Sequence, residues 1–192
     1  IDRSRHALEM AAAGKQVVVV SSGDPGVFAM ASAVFEAVEA GPVDWRDLDI
    51  QVLPGITAML AASARAGAPL GHDFCTINLS DNLKPWDLIE KRLRLAAEAD
   101  FAMAFYNPRS KSRPEGFVRT LEILKEECGD DRPVIFARNV SRADETIKIV
   151  PLSQTTADMA DMRTMVLVGS SQTRIIEREI GPIVYTPRSV DK

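Results

Sequence analysis

The stretch VVVVSSGDPGVFAM, residues 17–30, decides the fold class. Its four consecutive valines, residues 17–20, are typical of a short strand buried on both faces, as in a parallel sheet. A turn through Gly23 follows, and the apolar spacing after the turn predicts a helix. Asp24 suits the N-cap of that helix and Pro25 its first position. This unit predicts an α/β protein whose ligand loops lie at the carboxyl ends of strands.

The pattern of strand, turn and helix repeats along the chain. A second apolar run, DIQVL at 49–53, leads through a Pro-Gly turn into an alanine-rich helix. Helix-breaking residues cluster at 67–71, so we place a boundary there between a first subdomain, 1–70, and a second, 71–192. Towards the end of the chain, short strands follow one another with little helix between them. The first subdomain is therefore predicted to contain a mainly parallel sheet and the second a mixed sheet.

Composition narrows the classes of function. The 192 residues carry a formal net charge of −4, which argues against a nucleic-acid partner because no basic excess is available to neutralise phosphates. No apolar run reaches membrane-spanning length. The two cysteines, 75 and 128, lie far apart, which favours a reducing compartment, and no Cys/His cluster has metal-ligand spacing. We therefore expect a cytoplasmic protein without a metal, a membrane partner or a nucleic-acid partner.

Four loops at the carboxyl ends of predicted strands are the candidate ligand sites. Each loop alone is more often an ordinary turn. The first loop matches neither the dinucleotide fingerprint nor the phosphate-binding loop. The four are Gly23-Asp24-Pro25, Pro54-Gly55-Ile56-Thr57, Tyr106-Asn107-Pro108-Arg109 and Val168-Gly169-Ser170-Ser171.

A basic loop precedes the helix predicted to start at Pro114. Arg109, Lys111 and Arg113 lie where cations are unfavourable, at a helix N-terminus, so their placement indicates an anionic partner such as a carboxylated substrate. A solvated basic loop is the alternative interpretation. His72 is a candidate for proton transfer, although a lone histidine is more often structural.

Two further charged groups have plainer interpretations. Asp24 could act as a base, but the predicted N-cap role already accounts for it. Most of the charged residues Arg138, Arg142, Asp144 and Glu145 are predicted to form surface salt bridges in the loop between two strands.

Six motifs, taken together, resemble the tetrapyrrole methylases, most closely the members that act in cobalamin biosynthesis. They cover nearly the whole chain in the family's order. The motifs are SSGDPGVFAMA at 21–31, LPGITAMLAA at 53–62, APLGHDFCTINLSD at 68–81, FYNPRS at 105–110, RNVSRADE at 138–145 and VLVGSSQTR at 166–174. The resemblance implies two α/β subdomains with a ligand cleft between them, a homodimer, S-adenosyl-L-methionine as methyl donor and a tetrapyrrole substrate.

The resemblance also implies roles for individual residues. The positions implied to bind the cofactor are Gly23, Asp24, Pro25, Val27, Phe28, Ile56, Thr57, Ala58, Tyr106, Asn107, Asn139, Val140, Val168, Gly169 and Ser170. Within this set, Tyr106, Asn107, Asn139 and Val140 are expected to frame the ribose and adenine, and Val168, Gly169 and Ser170 to complete the adenine pocket. Those implied to meet the substrate are Ser80, Arg109, Lys111 and Arg113, and the candidates for proton transfer are His72, Asp24 and Asp81.

The reaction that the resemblance implies is methylation at C17 of the tetrapyrrole, coupled to contraction of the ring. Two alternatives remain open at this point. One is a methylase of the same fold that acts on another tetrapyrrole, a cobalt-containing precursor or uroporphyrinogen. The other is a tetrapyrrole-binding module without catalysis. The opening strand and glycine-rich turn of the family are not found in the sequence, so we expect the first subdomain to lack that strand.

Overall fold

The computed structural model describes residues 1–110 and 112–189. The chain divides into two compact units, which meet at the peptide bond between Thr57 and Ala58. The predicted subdomain boundary at residues 70 and 71 stays a prediction. The helices are α1 (Asp2–Ala12), α2 (Met30–Ala40), α3 (Ala58–Ala66), α4 (Trp86–Glu98) and α5 (Glu115–Glu127). The strands are β1 (Gly67–Ala68), β2 (Phe74–Asn78), β3 (Ala102–Tyr106), β4 (Pro133–Arg138), β5 (Thr146–Pro151), β6 (Thr164–Val168), β7 (Arg174–Ile176) and β8 (Ile183–Tyr185).

The first unit is built on α1, α2 and a short 3-10 helix at Val43–Asp47. Its core consists of Leu8, Ala37 and Trp45, each almost completely buried. Helix α1 ends before Gly14, which has a φ of +81°, the left-handed conformation that glycine adopts at little cost. Helix α2, however, begins at Met30 rather than Pro25. Asp24 is therefore not its N-cap.

The two strands predicted for the first unit are not formed. In the valine run, Val18 and Val20 are 84% and 88% exposed, and the 49–53 run contains Leu53, 72% exposed. A β-strand exists only with hydrogen-bonded neighbours, and among the described residues neither run pairs in a sheet. Parts of both runs line an apolar groove of about 360 Å³ together with residues of α1 and α2. The expectation of a buried parallel sheet in this part of the chain is wrong for the described residues.

The second unit contains two sheets. The larger has the strand order β2-β3-β6-β4-β5, with β2 and β3 parallel and the other pairs antiparallel. The smaller has the order β1-β8-β7, with β1 parallel to β8. The mixed sheet predicted for the second half of the chain is confirmed, and so is the α/β class.

Helices cover both faces of the five-stranded sheet. Large side chains such as Phe105 and Val166 point to the face that packs with α4 and α5. On the opposite face, Ala104 and Ala137 are buried in a cluster with Ala62 of α3. Alanines on both sides of this contact let the helix backbone approach the sheet closely. No helix among the described residues is long and apolar enough to cross a membrane.

Strand direction gives the five-stranded sheet two different ends. Strands β3 and β4 point the same way, and β6 runs between them in the opposite direction, pairing Val168 with both Met103 and Val134. The loops after β2, β3 and β4 therefore lie at one end, which we call the asparagine end after Asn107 and Asn139. The loop after β6 lies at the other, which we call the hydroxyl end. A five-residue strand rising about 3.3 Å per residue separates the two ends by roughly 13 Å.

Candidate functional site

The loop that contains Asp24 is held by its own carboxylate. Asp24 Oδ1 accepts the N–H of Gly26 at 2.8 Å, and Asp24 Oδ2 accepts the N–H of Gly55 at 3.1 Å. Both oxygens thus bind backbone donors, one in the loop itself and one in the Pro-Gly turn at 54–55. The carboxylate fastens these two loops of the first unit to each other, which is a different role from the predicted cap and base.

The same two loops approach each other closely. A Cβ on Gly55 would overlap the carbonyl oxygen of Gly23, so only glycine fits at position 55. Gly23 has a φ of +76°, and Phe28 has a φ of +51°. A left-handed aromatic residue is unusual, and such conformations cluster where a loop is shaped for a ligand. The first unit therefore presents a tightly constrained backbone at the predicted cofactor loop.

In the second unit, the asparagine end brings together three chain segments. The N–H of Met59, in the first turn of α3, donates to Tyr106 Oη at 3.3 Å. Asn78 Oδ1 accepts the N–H of Ser80 at 2.9 Å and the side-chain amide of Asn107 at 3.0 Å. The loops that follow β2 and β3 and the start of α3 are therefore joined by direct hydrogen bonds at this end.

The corner between β4 and β5, residues 139–145, completes the asparagine end. The N–H of Asn139 donates to the carbonyl of Arg163 at 3.1 Å, and its side-chain amide donates to Asp144 at 2.6 Å. Asn139 has a φ of +51°, as Asn107 has a φ of +52°. Asparagine tolerates the left-handed region better than most residues. Two left-handed asparagines thus follow β3 and β4, which point the same way on either side of β6, and Val140 packs against the apolar cluster under α3.

The charged residues at this end are mostly paired. Arg113 Nη1 donates to Ser80 Oγ at 2.9 Å and to Asp81 Oδ1 at 2.6 Å. The hydrogen bond from Arg113 lowers the pKa of Asp81 below its usual range. Arg109 is different: its Nε is buried and has no hydrogen-bond partner among the described residues. Lys111 lies outside the described residues, so its predicted role in substrate binding stays a prediction.

The predicted salt bridges of the 138–145 loop are present. Arg138 Nε donates to Asp161 at 2.9 Å and its Nη1 lies 3.7 Å from Asp144. Burial raises the pKa of Asp161, but hydrogen bonds from Arg138 and from neighbouring donors outweigh it and the net shift is downward. Glu145 pairs with Arg65 of α3 at 2.6 Å. These pairs fasten the corner to its surroundings.

The hydroxyl end is closed by an ionic group that the sequence did not reveal. Asp100, with a φ of +54°, accepts the N–H of Ser171 at 2.8 Å and its hydroxyl at 2.6 Å. Arg132, only 8% exposed, donates to the same carboxylate at 2.8 Å. The loop after β6 is thereby tied to the loops that precede β3 and β4.

A directional chain of hydroxyl groups also runs through this end. Thr173 Oγ1 accepts the N–H of Ser170 at 2.8 Å and lies 2.8 Å from Thr186 Oγ1. Thr186 donates its single proton to the carbonyl of Pro69 at 2.6 Å, so the proton between the two threonines belongs to Thr173. All three hydroxyl residues are buried. These hydrogen-bonded hydroxyl groups join the loop after β6 to the segments that flank the small sheet.

Two predicted groupings are therefore corrected. Val168, Gly169 and Ser170 do not share a pocket with Tyr106 and Asn107, because β6 delivers them to the opposite end of the sheet. His72 precedes β2 and lies at the hydroxyl end, 3.8 Å from Asp73, whereas Ser80 and Asp81 follow β2. His72 and Asp81, two of the candidates for proton transfer, therefore lie at opposite ends of β2.

The structure brings together one set of predicted residues in the second unit. The set consists of Ala58, Ser80, Asp81, Tyr106, Asn107, Arg113, Asn139 and Val140. Residues that sequence reasoning missed are Asn78, Asp100, Arg132 and Arg65. Asn78 lies inside the motif at 68–81, but Asp100, Arg132 and Arg65 lie outside the six motifs, and each of these three acts through a partner distant in sequence. Among the described residues, no group of three or more His, Cys, Asp or Glu side chains is arranged to hold a metal ion.

Comparison with known proteins gives consistent matches. Residues 2–156 match the family described as Tetrapyrrole (Corrin/Porphyrin) Methylases. A Sinorhizobium protein named precorrin-3B C(17)-methyltransferase is 55% identical over 98% of this chain and 74% of its own length. A Salmonella typhimurium protein named probable cobalt-factor III C(17)-methyltransferase is 38% identical over 98% of this chain and 75% of its own. The crystal structure of the methyltransferase CobJ superposes with a TM-score of 0.91 and 66% identity, covering 97% of this chain and 76% of that one.

Proposed function

Because the chain belongs to the tetrapyrrole methylase family, we propose that it transfers the methyl group of S-adenosylmethionine to C17 of precorrin-3B, with contraction of the ring to precorrin-4. The observation that carries this proposal is the similarity, over nearly the whole chain, to the Sinorhizobium protein of that name. The two alternatives from the sequence, another tetrapyrrole substrate and a module without catalysis, become outcomes of the test.

The residues present fit the cofactor. In the first unit, the 23–28 and 54–57 loops approach so closely that Gly55 leaves no room for a Cβ beside the Gly23 carbonyl oxygen, which fixes these two predicted cofactor loops against each other. In the second, the backbone is left-handed at Asn107, directly after Tyr106, and at Asn139, at the same end of the sheet. When bound, S-adenosylmethionine supplies a methyl group on a positively charged sulfur. The residues proposed to hold it are Gly23, Asp24, Pro25, Val27, Phe28, Ile56, Thr57, Ala58, Tyr106, Asn107, Asn139 and Val140.

These residues are proposed to act by positioning the methyl group of the cofactor relative to the substrate. A methyl transfer needs the electrophilic methyl in line with a nucleophilic carbon, and fixing that geometry supplies much of the rate. Asp24 contributes by fastening two loops, since both its oxygens accept backbone donors. Arg109 is proposed to meet a carboxylate of the substrate, because it brings a buried N–H without a protein acceptor among the described residues. Arg113 holds Asp81 and Ser80 at the same end.

The corresponding cobalt-containing ring is the second candidate substrate, because the Salmonella relative is named for cobalt-factor III. The higher identity of the Sinorhizobium relative favours the metal-free ring. The test is incubation with methyl-labelled S-adenosylmethionine and each ring in turn, followed by mass spectrometry of the product. Label in a contracted product from precorrin-3B supports the proposal. Transfer of the label only to the cobalt-containing ring would select the second candidate substrate. Binding of a ring without transfer of the label would select the tetrapyrrole-binding module without catalysis.

A further inference from the structure

The corner at 139–145 contains backbone conformations that need external support. Asn139 and Ser141 have φ values of +51° and +66°. Left-handed non-glycine residues cost free energy and persist only where their surroundings fix them. Asp144 holds the side chain of Asn139, and the support for Ser141 comes from Glu145.

Glu145 connects this corner to helix α3. Its Oε2 accepts the N–H of Ser141 at 2.6 Å. Its Oε1 accepts Arg65 Nε at 2.8 Å and Nη2 at 2.6 Å. The Glu145 side chain is only 15% exposed, whereas that of Arg65 is 58% exposed. The hydrogen bonds from Arg65 also lower the pKa of Glu145, which keeps it ionised at neutral pH.

Helix α3 is thereby fixed at both ends. Met59 at its start donates to Tyr106 Oη, and Arg65 near its end binds Glu145. Ala62, between them, and Ala66, directly after Arg65, are buried in the cluster against the sheet. A shift of the corner therefore transmits to α3, and a shift of α3 transmits to the corner.

We propose that Arg65 and Glu145 are a pair of positioning residues that hold two cofactor-binding segments, the start of α3 and the corner at Asn139 and Val140, in their binding geometry. This inference rests on the proposed function. Neither side chain is assigned any contact with the cofactor or the ring. Loss of the pair should therefore weaken cofactor binding while the chemical step stays nearly unchanged.

The test compares Glu145→Ala, Glu145→Gln and Arg65→Ala with a control, Glu127→Ala. Glu127 pairs with Arg94 between α4 and α5, on the other face of the sheet. We expect Glu145→Ala to raise the Kd for S-adenosylhomocysteine and the KM for S-adenosylmethionine by about tenfold, with kcat within about twofold. Glu145→Gln keeps an acceptor for Ser141 and should recover part of the loss. The control should bind like the unmodified chain.

A second measurement tests the pair without any ligand. Amide hydrogen exchange at Ser141 and Met59 should accelerate in Glu145→Ala and remain unchanged in Glu127→Ala. Unchanged exchange at both amides, or unchanged affinity in a chain that binds S-adenosylhomocysteine, overturns the positioning role. Accelerated exchange in a chain that binds no S-adenosylhomocysteine supports the pair and counts against the proposed function instead.

Discussion

The asparagine end and the hydroxyl end of the five-stranded sheet are both rich in small polar residues, yet their polar groups are used differently. At the hydroxyl end, hydrogen bonds run inward from Ser170 through Thr173 and Thr186 to a backbone carbonyl. At the asparagine end, side chains hold loops in left-handed turns, and the buried Nε of Arg109 has no acceptor among the described residues. We therefore propose that the polar motifs at the asparagine end form a ligand site, whereas those at the hydroxyl end form a structural joint.

The largest effect is expected from Asp100→Ala. This change leaves the buried guanidinium of Arg132 without its ionic partner and releases Ser171. We expect the free energy of unfolding to fall by about 3 kcal/mol, at the low end for a broken buried pair because Asp100 is itself 38% exposed. Urea unfolding measures this change in the free energy of unfolding. The control is Asp73→Ala, which removes an exposed carboxylate. A loss no larger than the control's would show that the hydroxyl end is not a joint.

The next largest effect on stability is expected from Gly169→Ala. This variant tests whether the hydroxyl end serves stability and not cofactor binding. A Cβ at this position would lie 2.6 Å from Thr173 Cβ and Oγ1, so the hydroxyl chain must shift. Overpacking of this kind costs about 2 kcal/mol. Stability should fall while the folded protein binds S-adenosylhomocysteine normally.

Calorimetric titration of S-adenosylhomocysteine measures the affinity of Gly169→Ala, and Gly129→Ala is the control variant. The nearest atom to a Cβ at Gly129 is a side-chain oxygen of Asp131, 3.3 Å away. A variant of Gly169 that kept its stability and lost affinity would return this loop to the ligand site.

Asn139→Ala tests the opposite end. Alanine cannot bond to Asp144 and disfavours the φ of +51° found there. We expect about tenfold weaker binding of S-adenosylhomocysteine, which corresponds to roughly 1.4 kcal/mol. Ser171→Ala, at the hydroxyl end, is the matched change and should leave the affinity unchanged. Equal losses in both variants would erase the distinction between the ends.

The smallest expected effect is a difference between the two ends of the sheet in how readily acid reduces their protection from amide exchange. Hydrogen bonds from Arg113 and Arg65 lower the pKa values of Asp81 and Glu145, both at the asparagine end. Their stabilisation is complete above the unfolded pKa, near 4, and is lost as pH falls through the folded pKa. Amide exchange, corrected for its intrinsic pH dependence, should show residues 139–145 losing protection before 168–173 on acidification. The reverse order would contradict the assignment.

Most elements of the second unit could be predicted from the sequence because their signals are local. Pro114, for example, marks the start of α5, which begins at Glu115, to within one residue. The valine run failed because a strand depends on neighbours that the run itself does not specify. A strong β propensity is therefore not sufficient to form a strand.

The site was predictable only in part, for a similar reason. Loops after β3 and β4 were recognised from their sequences, and the fold places them together. The resemblance assigns the loop after β6 to the same pocket, but the strand sequence TMVLV does not specify that β6 runs antiparallel to β3 and β4. Asp100 and Arg132 were invisible because their pairing joins two loops that are distant in sequence.

We propose that the cofactor binds at the asparagine end of the five-stranded sheet. The most direct measurement is titration of S-adenosylhomocysteine into the isotopically labelled chain, followed through backbone amide chemical shifts. We predict saturable shifts at Met59, Asn107 and Val140, and unperturbed amides at Ser170 and Thr173. Saturable shifts confined to Ser170 and Thr173 would contradict the account.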